Sequence, residues 1–429
     1  MRISRKFAAE IFYFCVLFLS SGAMEAFTVG KQGVDPQGSP LMKVLWACVY
    51  LLVLLRLIPR YRQVGSLLLS NKCFVLFLLF SIVSVRWSVD PYLTLQKSIP
   101  LVLSALIGLD FARRYTIREQ IHLIWMVLAS VLVLGVIAQV FFPGFVPDLD
   151  YEPGGAWNGI VTNKNTWARL IVLTGIALLS RPRPTRRSIV LVAVLMTMVM
   201  ALLAASRSAG GLLILSTMLL LFVGFRALRW PRTPLLLLTL AVAAVSIFTV
   251  SYAVQHADEV TAKMGKDATM TGRVPIWRET FRFIEKDPIL GFGYAAFWSQ
   301  NSRPGRLVRE ATNWDNLPHA HNGYIDLTLQ LGGVGLLLYF AAYLIAMKRA
   351  VHLVRRNRAR QFLWPIAFLC VVLLYQLDEA SIVTPNQLIW ILYSSVLFSL
   401  AIEDRNFESP ALDEGEELET EQPVLAAGD

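Results

Sequence analysis

The sequence predicts an all-α, polytopic membrane protein of about 12 transmembrane helices, and three observations support this fold class. Hydrophobic residues make up 55% of the 429 positions, charged residues only 16%, and the mean hydropathy is +0.55. Apolar runs of about 20 residues, which span a hydrocarbon layer of about 30 Å as helices, recur along most of the chain. The basic residues between these runs are biased toward one side of the membrane. A soluble chain of this composition would lack the polar surface to cover its core.

The apolar runs divide the chain into two parts. Residues 1–402 are predicted to form a single transmembrane helical domain. Residues 403–429 are predicted to be an acidic, disordered cytoplasmic tail, because this segment is poor in apolar residues. The predicted spans are 7–28, 41–58, 73–89, 97–112, 120–142, 164–180, 187–205, 209–225, 234–254, 323–346, 362–378 and 387–402.

The net charge of +10 is concentrated in short loops such as 56–72 and 348–360. The short loops on the other side are poor in Lys and Arg, since 29–40 holds only Lys31 and 379–386 holds none. This distribution obeys the positive-inside rule with both termini in the cytoplasm, and it argues against nucleic acid as a partner. The first run also fits a signal peptide. An uncleaved helix is favoured, because cleavage would leave an odd number of spans.

Two loops are much longer than the others, and both are predicted to lie outside the cytoplasm. Residues 142–165 contain several Pro and Gly residues, which indicate irregular structure. Residues 255–322, between the ninth and tenth spans, are basic and rich in aromatic residues. Loops longer than about 15 residues are often functional, so this loop is the first place to look for a site.

Within the long loop, residues 274–286 predict a short amphipathic helix. Ile276 and Phe283 fall on one side of it, and Arg278 and Arg282 recur on the other. Such a helix is expected to lie along the membrane interface.

His319, His321 and Asn322 lie where the long loop enters the tenth span, with Asp326 about one helical turn beyond. Histidine titrates near neutral pH, so it can take a proton from a hydroxyl nucleophile. The alternative is that the pair only caps the helix, and spacing does not decide between the two.

Several cations are candidate anion ligands. Arg207 interrupts an apolar stretch, where a charge normally faces a polar cavity, although a tight outer turn that reaches headgroup phosphates also fits. Arg273 opens the amphipathic helix and carries a planar guanidinium that suits phosphate oxygens, while a solvated surface arginine is the commoner explanation. Lys164, Asn165 and Arg169 at the mouth of the sixth span fit an anchoring or a ligand role equally well.

Other features limit the chemistry. Asp378 and Glu379 end a span, and nothing in the sequence pairs them with another group. The four cysteines lie in apolar spans, so neither a disulfide framework nor a metal site is predicted, and no cofactor is expected. A P-loop is absent from the sequence, which argues against ATP as a substrate, and nucleotide sugars are not expected as substrates either. The residues favour a reaction on an anionic, lipid-linked substrate.

Four stretches together resemble the O-antigen ligase and polymerase superfamily, and within it the succinoglycan-type exopolysaccharide polymerases. They are WSVDP at 87–91, SR at 206–207, TGR at 271–273 running on through IW at 276–277 to GFGY at 291–294, and HAHNGY at 319–324. No single motif is decisive, but their order and spacing are fairly specific.

The resemblance implies a GT-C-like, metal-independent glycosyltransferase in a bacterial inner membrane, with a periplasmic active site. It would move a glycan from an undecaprenyl-diphosphate carrier to a sugar hydroxyl of an acceptor glycan, and other polysaccharide assembly proteins are candidate partners. The implied site residues are His321 and His319 as catalytic residues, Arg207 and Arg273 as diphosphate ligands, and Asn322, Lys164, Asn165 and Arg169 in support.

The acceptor remains open at this point. A polymerase joins one lipid-linked repeat to another, whereas a ligase attaches the finished chain to lipid A-core or to protein, and the motifs favour the polymerase. A transporter of the lipid-linked glycan would need ionisable residues spread through several spans, which the Leu-, Val- and Ala-rich spans lack. A lipid-binding scaffold without catalysis is the remaining alternative.

Overall fold

The computed structural model describes residues 5–24, 39–142, 155–182, 185–224, 273–315, 317–380 and 383–408. All regular structure in these ranges is helical, which confirms the predicted fold class. The α-helices are α1 (Arg5–Ser20), α2 (Pro40–Leu57), α3 (Tyr61–Ser70), α4 (Lys72–Val83), α5 (Pro91–Arg114), α6 (Ile117–Phe141), α7 (Lys164–Ser180), α8 (Arg186–Ala205), α9 (Ala209–Gly224), α10 (Arg273–Lys286), α11 (Arg303–Thr312), α12 (Gly323–Arg356), α13 (Leu363–Asp378) and α14 (Leu388–Glu408).

Within the described residues, six helical segments are long and apolar enough to cross a membrane. They are Pro40–Ser70, Pro91–Arg114, Ile117–Phe141, Arg186–Ala205, Gly323–Arg356 and Arg360–Leu377. Helices also occupy the other predicted spans, except that 234–254 lies outside the described residues. The total of twelve spans therefore stays a prediction.

Some helix ends differ from the predicted boundaries. α4 ends at Val83 rather than at 89, and α5 begins at Pro91 rather than at 97. The carboxylate of Asp90 accepts a hydrogen bond from the backbone N–H of Leu93 (3.1 Å) and so caps α5. α12 continues beyond the predicted 346 to Arg356, because hydropathy does not register the polar turns of a helix that leaves the apolar layer.

The C-terminal boundary also moves. α14 continues through 403–408, the first residues of the predicted tail, and residues 409–429 lie outside the described part of the chain. The described helix α3 (Tyr61–Ser70) falls in a segment that the sequence assigned to a cytoplasmic loop.

α5 and α14 pack closely against each other. A Cβ atom on Gly108 would meet the backbone oxygen of Ile391 at 2.6 Å, so the two backbones approach at a residue without a side chain. The indole N–H of Trp390 donates to the backbone oxygen of Leu101 (2.9 Å). This contact fixes α5, whose start reaches the long loop.

The two ends of α5 distinguish the two ends of the bundle. At its start, Asn301 Nδ2 donates to Asp90 Oδ2 (3.1 Å), which ties this end to the long loop. We call this the loop end. The 24 residues of α5 extend about 36 Å to Arg114, and we call that end the far end.

The far end contains a buried charge network around Asp110. Arg113 donates to Asp110 Oδ1 (2.6 Å) and the hydroxyl of Tyr13 donates to Asp110 Oδ2 (2.5 Å). Arg56 lies 3.9 Å from the same carboxylate. The network joins α1, α2 and α5.

α12 is interrupted at Gly332, whose φ of 61° and ψ of −167° lie outside the helical region. An interruption inside a span leaves backbone groups that need partners. The segment 287–302 supplies them: Gly333 N–H donates to Pro288 O (2.8 Å), and Phe292 N–H donates to Leu329 O (2.8 Å). The loop and the broken helix therefore form one folded unit.

The WSVDP stretch joins the same unit. The backbone N–H of Val89 donates to Phe292 O (3.0 Å), and the indole N–H of Trp87 donates to Leu290 O (3.1 Å). A Cβ atom on Gly293, at φ 97°, would collide with Ser88 at 2.4 Å. The motifs at 87–91 and 291–294 therefore pack directly on each other.

The predicted amphipathic helix forms as α10. Ile276 and Phe283 are buried and Arg278 and Arg282 are exposed, as the pattern predicted. Its apolar side packs against Phe292 and neighbouring residues of the same loop. The loop thus supplies an apolar partner for this side of the helix, and the expectation that the helix lies along the membrane interface stays a prediction.

Candidate active site

His319, His321 and Glu379 form a compact cluster at the loop end. Glu379 follows α13, whereas the histidines precede α12. His319 Nε2 lies 3.5 Å from Glu379 Oε2, and His321 Nδ1 lies 3.8 Å from Glu379 Oε1. The two imidazole centroids are 4.4 Å apart. Two histidines and a carboxylate in this arrangement can bind and move a proton.

The histidine loop is held by backbone contacts on both sides. The indole N–H of Trp277 donates to Ala320 O (2.8 Å), and Ala320 N–H donates to the buried carboxylate of Asp326 (3.1 Å). Trp298 Nε1–H donates to the same carboxylate (2.7 Å). Helix α10 and the segment 287–302 therefore set the position of the residue between the two histidines.

Asn322 completes the loop as the N-cap of α12. Its side-chain oxygen accepts from the backbone N–H groups of Tyr324 (3.0 Å) and Ile325 (3.1 Å). His321, one residue earlier, has a φ of 51°, which is uncommon for a residue with a side chain. The capped helix and the fixed Ala320 hold His321 in this backbone conformation, and such strain concentrates at functional sites.

The position of His319 favours its neutral form. Its Nδ1 accepts the backbone N–H of His321 (3.1 Å), so the proton of the neutral ring resides on Nε2, which faces Glu379. Burial lowers the pKa of His319 to about 4; Glu379 opposes this effect, and the positive charges of Arg273 and Arg169 add to it. His319 is therefore neutral at physiological pH.

Glu379 is ionised in this setting. Burial alone would raise its pKa, but the adjacent imidazoles of His321 and His319 and the hydrogen bond from Asn165 outweigh burial, and the pKa is about 2. The amide of Asn165 donates to Glu379 Oε1 (2.9 Å), and Ser208 Oγ donates to the amide oxygen of Asn165 (3.3 Å). These bonds link Glu379 to the starts of α7 and α9.

His321 differs from His319 because its ring nitrogens are buried and neither has a hydrogen-bond partner within the described residues. Its ring stacks on Trp314 with the centroids 5.6 Å apart. A buried nitrogen without a partner is costly unless a ligand or water supplies one. Of the two histidines, His321 is therefore the candidate for a ring nitrogen that a ligand would engage.

A cavity of about 380 Å³ adjoins the cluster. His319 and Glu379 line it, and so do the cations Lys97 and Arg169. Its other lining residues are Asn163, Asn165, Thr166, Tyr294, Ala295, Trp298, Pro318, Asp326, Gln330, Tyr375, Ala380, Val383, Thr384, Pro385 and Gln387. Two lining cations, with Arg273 close enough to act on His319, suit an anionic ligand.

The structure brings some of the predicted site residues to the cavity and leaves others outside it. Asn165 and Arg169 line the cavity, and Arg273 acts on His319 electrostatically. Lys164 begins α7 next to Asn165. Arg207 is exposed in the turn between α8 and α9, at a φ of 51°, and is not part of the cavity lining. Its neighbour Ser208 nevertheless connects this turn to Asn165.

The sequence did not point to three residues of the cluster and cavity. Sequence spacing paired Glu379 with no other group, yet Glu379 contacts both histidines. Lys97 reads as an ordinary polar residue near the start of a span, and Trp314 as one aromatic among many in the long loop. The position of Lys97 at the start of a predicted span was the usable signal for this residue.

The cluster could hold a metal ion by composition. The ligand atoms of His319, His321 and Glu379 lie within 4.8 Å of one another, and imidazole and carboxylate groups bind Zn²⁺. The hydrogen bonding of His319 opposes this use, because Nδ1 is occupied and Nε2 carries the proton. The absence of a metal requirement stays a prediction.

The fold and the site define a helical membrane protein with a histidine–carboxylate cluster beside a cavity that is lined by Lys97 and Arg169 as well as by the carboxylates of Asp326 and Glu379. Residues 191–340 match the family described as O-Antigen ligase. This region contains Arg207, Arg273 and both histidines, whereas Lys97 and Glu379 lie outside it.

A relative supports the same grouping. The "Exopolysaccharide production protein ExoQ" of Rhizobium meliloti (strain 1021) is 30% identical over 141 residues, which cover 32% of this chain and 32% of the relative. The match thus spans about a third of either protein. The two findings support the O-antigen ligase and polymerase superfamily, and they confirm the resemblance that the motifs predicted.

Proposed function

We propose that the protein is a glycosyltransferase of the bacterial inner membrane that polymerises polysaccharide repeat units at the periplasmic face. The donor would be a glycan on an undecaprenyl-diphosphate carrier, and the acceptor a sugar hydroxyl of another repeat. The observation that carries the proposal is the imidazole of His321, whose nitrogens have no hydrogen-bond partner within the described residues, 3.8 Å from Glu379 and next to a cavity lined by Lys97 and Arg169.

The reaction needs one proton transfer and one displacement. His321 takes the proton from the acceptor hydroxyl as its oxygen attacks the anomeric carbon of the donor. The bond between that carbon and the diphosphate oxygen breaks, and the carrier diphosphate leaves with the bonding electron pair. Glu379, 3.8 Å from His321 Nδ1, stabilises the imidazolium that forms. The proton passes from His321 to solvent or to the diphosphate, which regenerates the base.

The leaving group requires positive charge. Lys97 and Arg169 line the cavity, and Arg273 adds charge from the start of α10. Cations placed where the diphosphate charge develops lower the barrier to bond cleavage. Arg207 is proposed to contribute from the adjacent turn, as the family resemblance implies, with the Ser208–Asn165 bond joining that turn to the cluster.

Donor and acceptor would approach the base from different directions. His319 and Glu379 line the cavity, whereas His321 does not. The ring of His321 stacks instead on Trp314, which is 38% exposed. We place the donor diphosphate in the cavity and the acceptor sugar beside Trp314. This arrangement would leave the reacting bond next to His321.

A ligase is the second candidate, and the family description favours it directly. The polymerase is preferred because the relative is named for exopolysaccharide production and because the GFGY and HAHN stretches resemble those of polymerases. In either enzyme the base and the diphosphate ligands would have the same tasks, and only the acceptor would differ.

The deciding experiment is glycan analysis of a deletion strain complemented with wild type or His321→Ala. General-base catalysis contributes typically 10²–10⁴-fold, so the variant should accumulate single lipid-linked repeats and lack long polymer. The matched control is His352→Ala, which removes an exposed histidine of α12. Membrane levels of both variants are checked by immunoblot.

The other outcomes separate the alternatives. Long chains that accumulate on the carrier and are missing from the final acceptor would identify a ligase. Normal polymer from His321→Ala would refute the base assignment. An unchanged glycan profile in the deletion strain itself would favour a transport or scaffold role.

A further inference from the structure

A second cavity, of about 930 Å³, lies at the far end of the bundle, away from the histidine cluster. It is bounded by α1, by the start of α6, and by residues that follow α7 and precede α13. Lys6 and Glu119, which line it, form an ion pair of 2.9 Å that joins α1 to α6. Its size is within the range of small-molecule sites, and the proposed reaction uses none of its residues.

The lining changes in polarity along α6. Arg118, His122 and Met126 all line the cavity and recur every four residues, so they lie on one face of the helix. Each step moves about 6 Å along the axis, and the side chains pass from cationic to apolar with increasing distance from the far end.

α1 repeats this gradient on the facing wall. Lys6 lies at its start, and Phe7, Ile11 and Phe14 follow at helical spacing along one side. Phe7 and Ile11 are 53% and 46% exposed. Two helices that are cationic at their ends and apolar deeper form a cavity for an amphiphile whose charged group sits at the membrane surface.

The polar end has an unmatched positive charge. Lys6 and Glu119 neutralise each other, and Arg118 and Arg181 have no carboxylate partner within the described residues, with Glu10 as the remaining acid of the lining. Arg181 lies over the ring of Trp125 with its guanidinium carbon 4.4 Å from the ring centroid, which holds the cation at the cavity edge. Ser188 and Gln361 add neutral hydrogen-bonding groups.

We propose that this cavity binds an anionic glycerophospholipid of the adjacent leaflet, with its phosphate between Arg118 and Arg181 and an acyl chain along Ile11, Phe14 and Met126. The unmatched positive charge of the cavity lining favours an anionic over a zwitterionic head group. Basic pockets between helices at a membrane surface bind lipids of this kind. The site is independent of the proposed glycosyl transfer.

The test is native mass spectrometry of the detergent-solubilised protein, titrated with phosphatidylglycerol and, separately, with phosphatidylcholine of the same acyl chains. Wild type is expected to retain the anionic lipid preferentially. The double variant Arg118→Gln/Arg181→Gln removes both head-group cations, so the preference should fall on the order of tenfold.

The matched control is Arg60→Gln/Arg62→Gln, which removes two exposed arginines near the same end of the bundle but outside the cavity. It should keep the wild-type preference. An equal loss in both double variants would show a general charge effect and would overturn the proposal. No preference in wild type would overturn it as well.

A second measurement locates the acyl chain. Phosphatidylglycerol with a diazirine on its acyl chain is cross-linked to the wild-type protein, and the labelled peptides are mapped. Labelling concentrated on α1 and the first half of α6 supports the proposal. Labelling spread evenly over the helices would show only the surrounding lipid and would contradict it.

Discussion

Asp110 at the far end and Glu379 at the loop end are both carboxylates removed from bulk solvent, but their partners differ in kind. Asp110 is fully buried, and both its oxygens are engaged by Arg113 and Tyr13. Glu379 faces two histidines across 3.5 and 3.8 Å and lines a cavity.

The difference separates structure from chemistry. A carboxylate that is matched by a permanent cation and a hydroxyl joins helices and has no group to offer to a substrate. A carboxylate whose partners titrate, and whose neighbour His321 has unpartnered nitrogens, can stabilise a charge that appears only during a reaction. Burial alone would not have distinguished the two clusters.

Among the variants that test this comparison, the largest effect is expected at Glu379. Glu379→Gln keeps the shape and removes the charge that stabilises the imidazolium, so turnover should fall on the order of 10²-fold. In vitro polymerisation with purified protein measures the rate. Glu285→Gln, at an exposed acid of α10, is the matched control.

A substitution of Asp110 tests the charge network at the far end. Asp110→Asn leaves Arg113 without its counter-charge, and breaking a buried pair costs about 3 kcal/mol or more. The melting temperature in detergent should fall, while activity per folded molecule stays at the wild-type level. A variant of normal stability and low activity would contradict the division between the two clusters. The control is Glu310→Gln, in an exposed pair with Arg306.

A smaller effect is expected at Trp314, which stacks on His321 outside the cavity. Trp314→Ala removes the flat surface proposed for the acceptor sugar. For comparison, the stacking of a nucleobase on an aromatic side chain is worth about 1–3 kcal/mol. The KM for acceptor should therefore rise about tenfold, with little change in the KM for the lipid-linked donor. Trp314→Phe should recover much of the loss. Equal changes in both constants would assign Trp314 a purely structural role.

The smallest effect is expected from metal removal. Nδ1 of His319 is occupied by a backbone N–H, so the cluster is predicted to work as a proton-transfer group without a metal. Dialysis against EDTA should leave the rate unchanged, and elemental analysis of the purified protein should show no stoichiometric zinc. A rate that falls with EDTA and recovers with Zn²⁺ would identify the cluster as a metal centre.

Most of the described helices were predictable from hydropathy, because a run of apolar residues reports directly on burial in lipid. α7 spans Lys164–Ser180, which matches the predicted 164–180. The ends of α4 and α5 were less predictable, because the polar turn that Asp90 caps is set by its hydrogen bonds to Leu93 and Asn301. The break of α12 at Gly332 was not predicted, since its stability depends on backbone donors and acceptors from the distant segment 287–302.

The sequence by itself determined the helical class with its long apolar segments and brought out the two histidines, because each is a local property of composition or spacing. Only the tertiary structure decided that Glu379, at the end of another helix, completes the cluster and that Lys97 lines the cavity. The same packing distinguished His321 from His319, since the hydrogen bond to Nδ1 of His319 follows from the backbone path of the loop. Side chains far apart in sequence meet only when helix packing fixes their separation, and no local pattern encodes that distance.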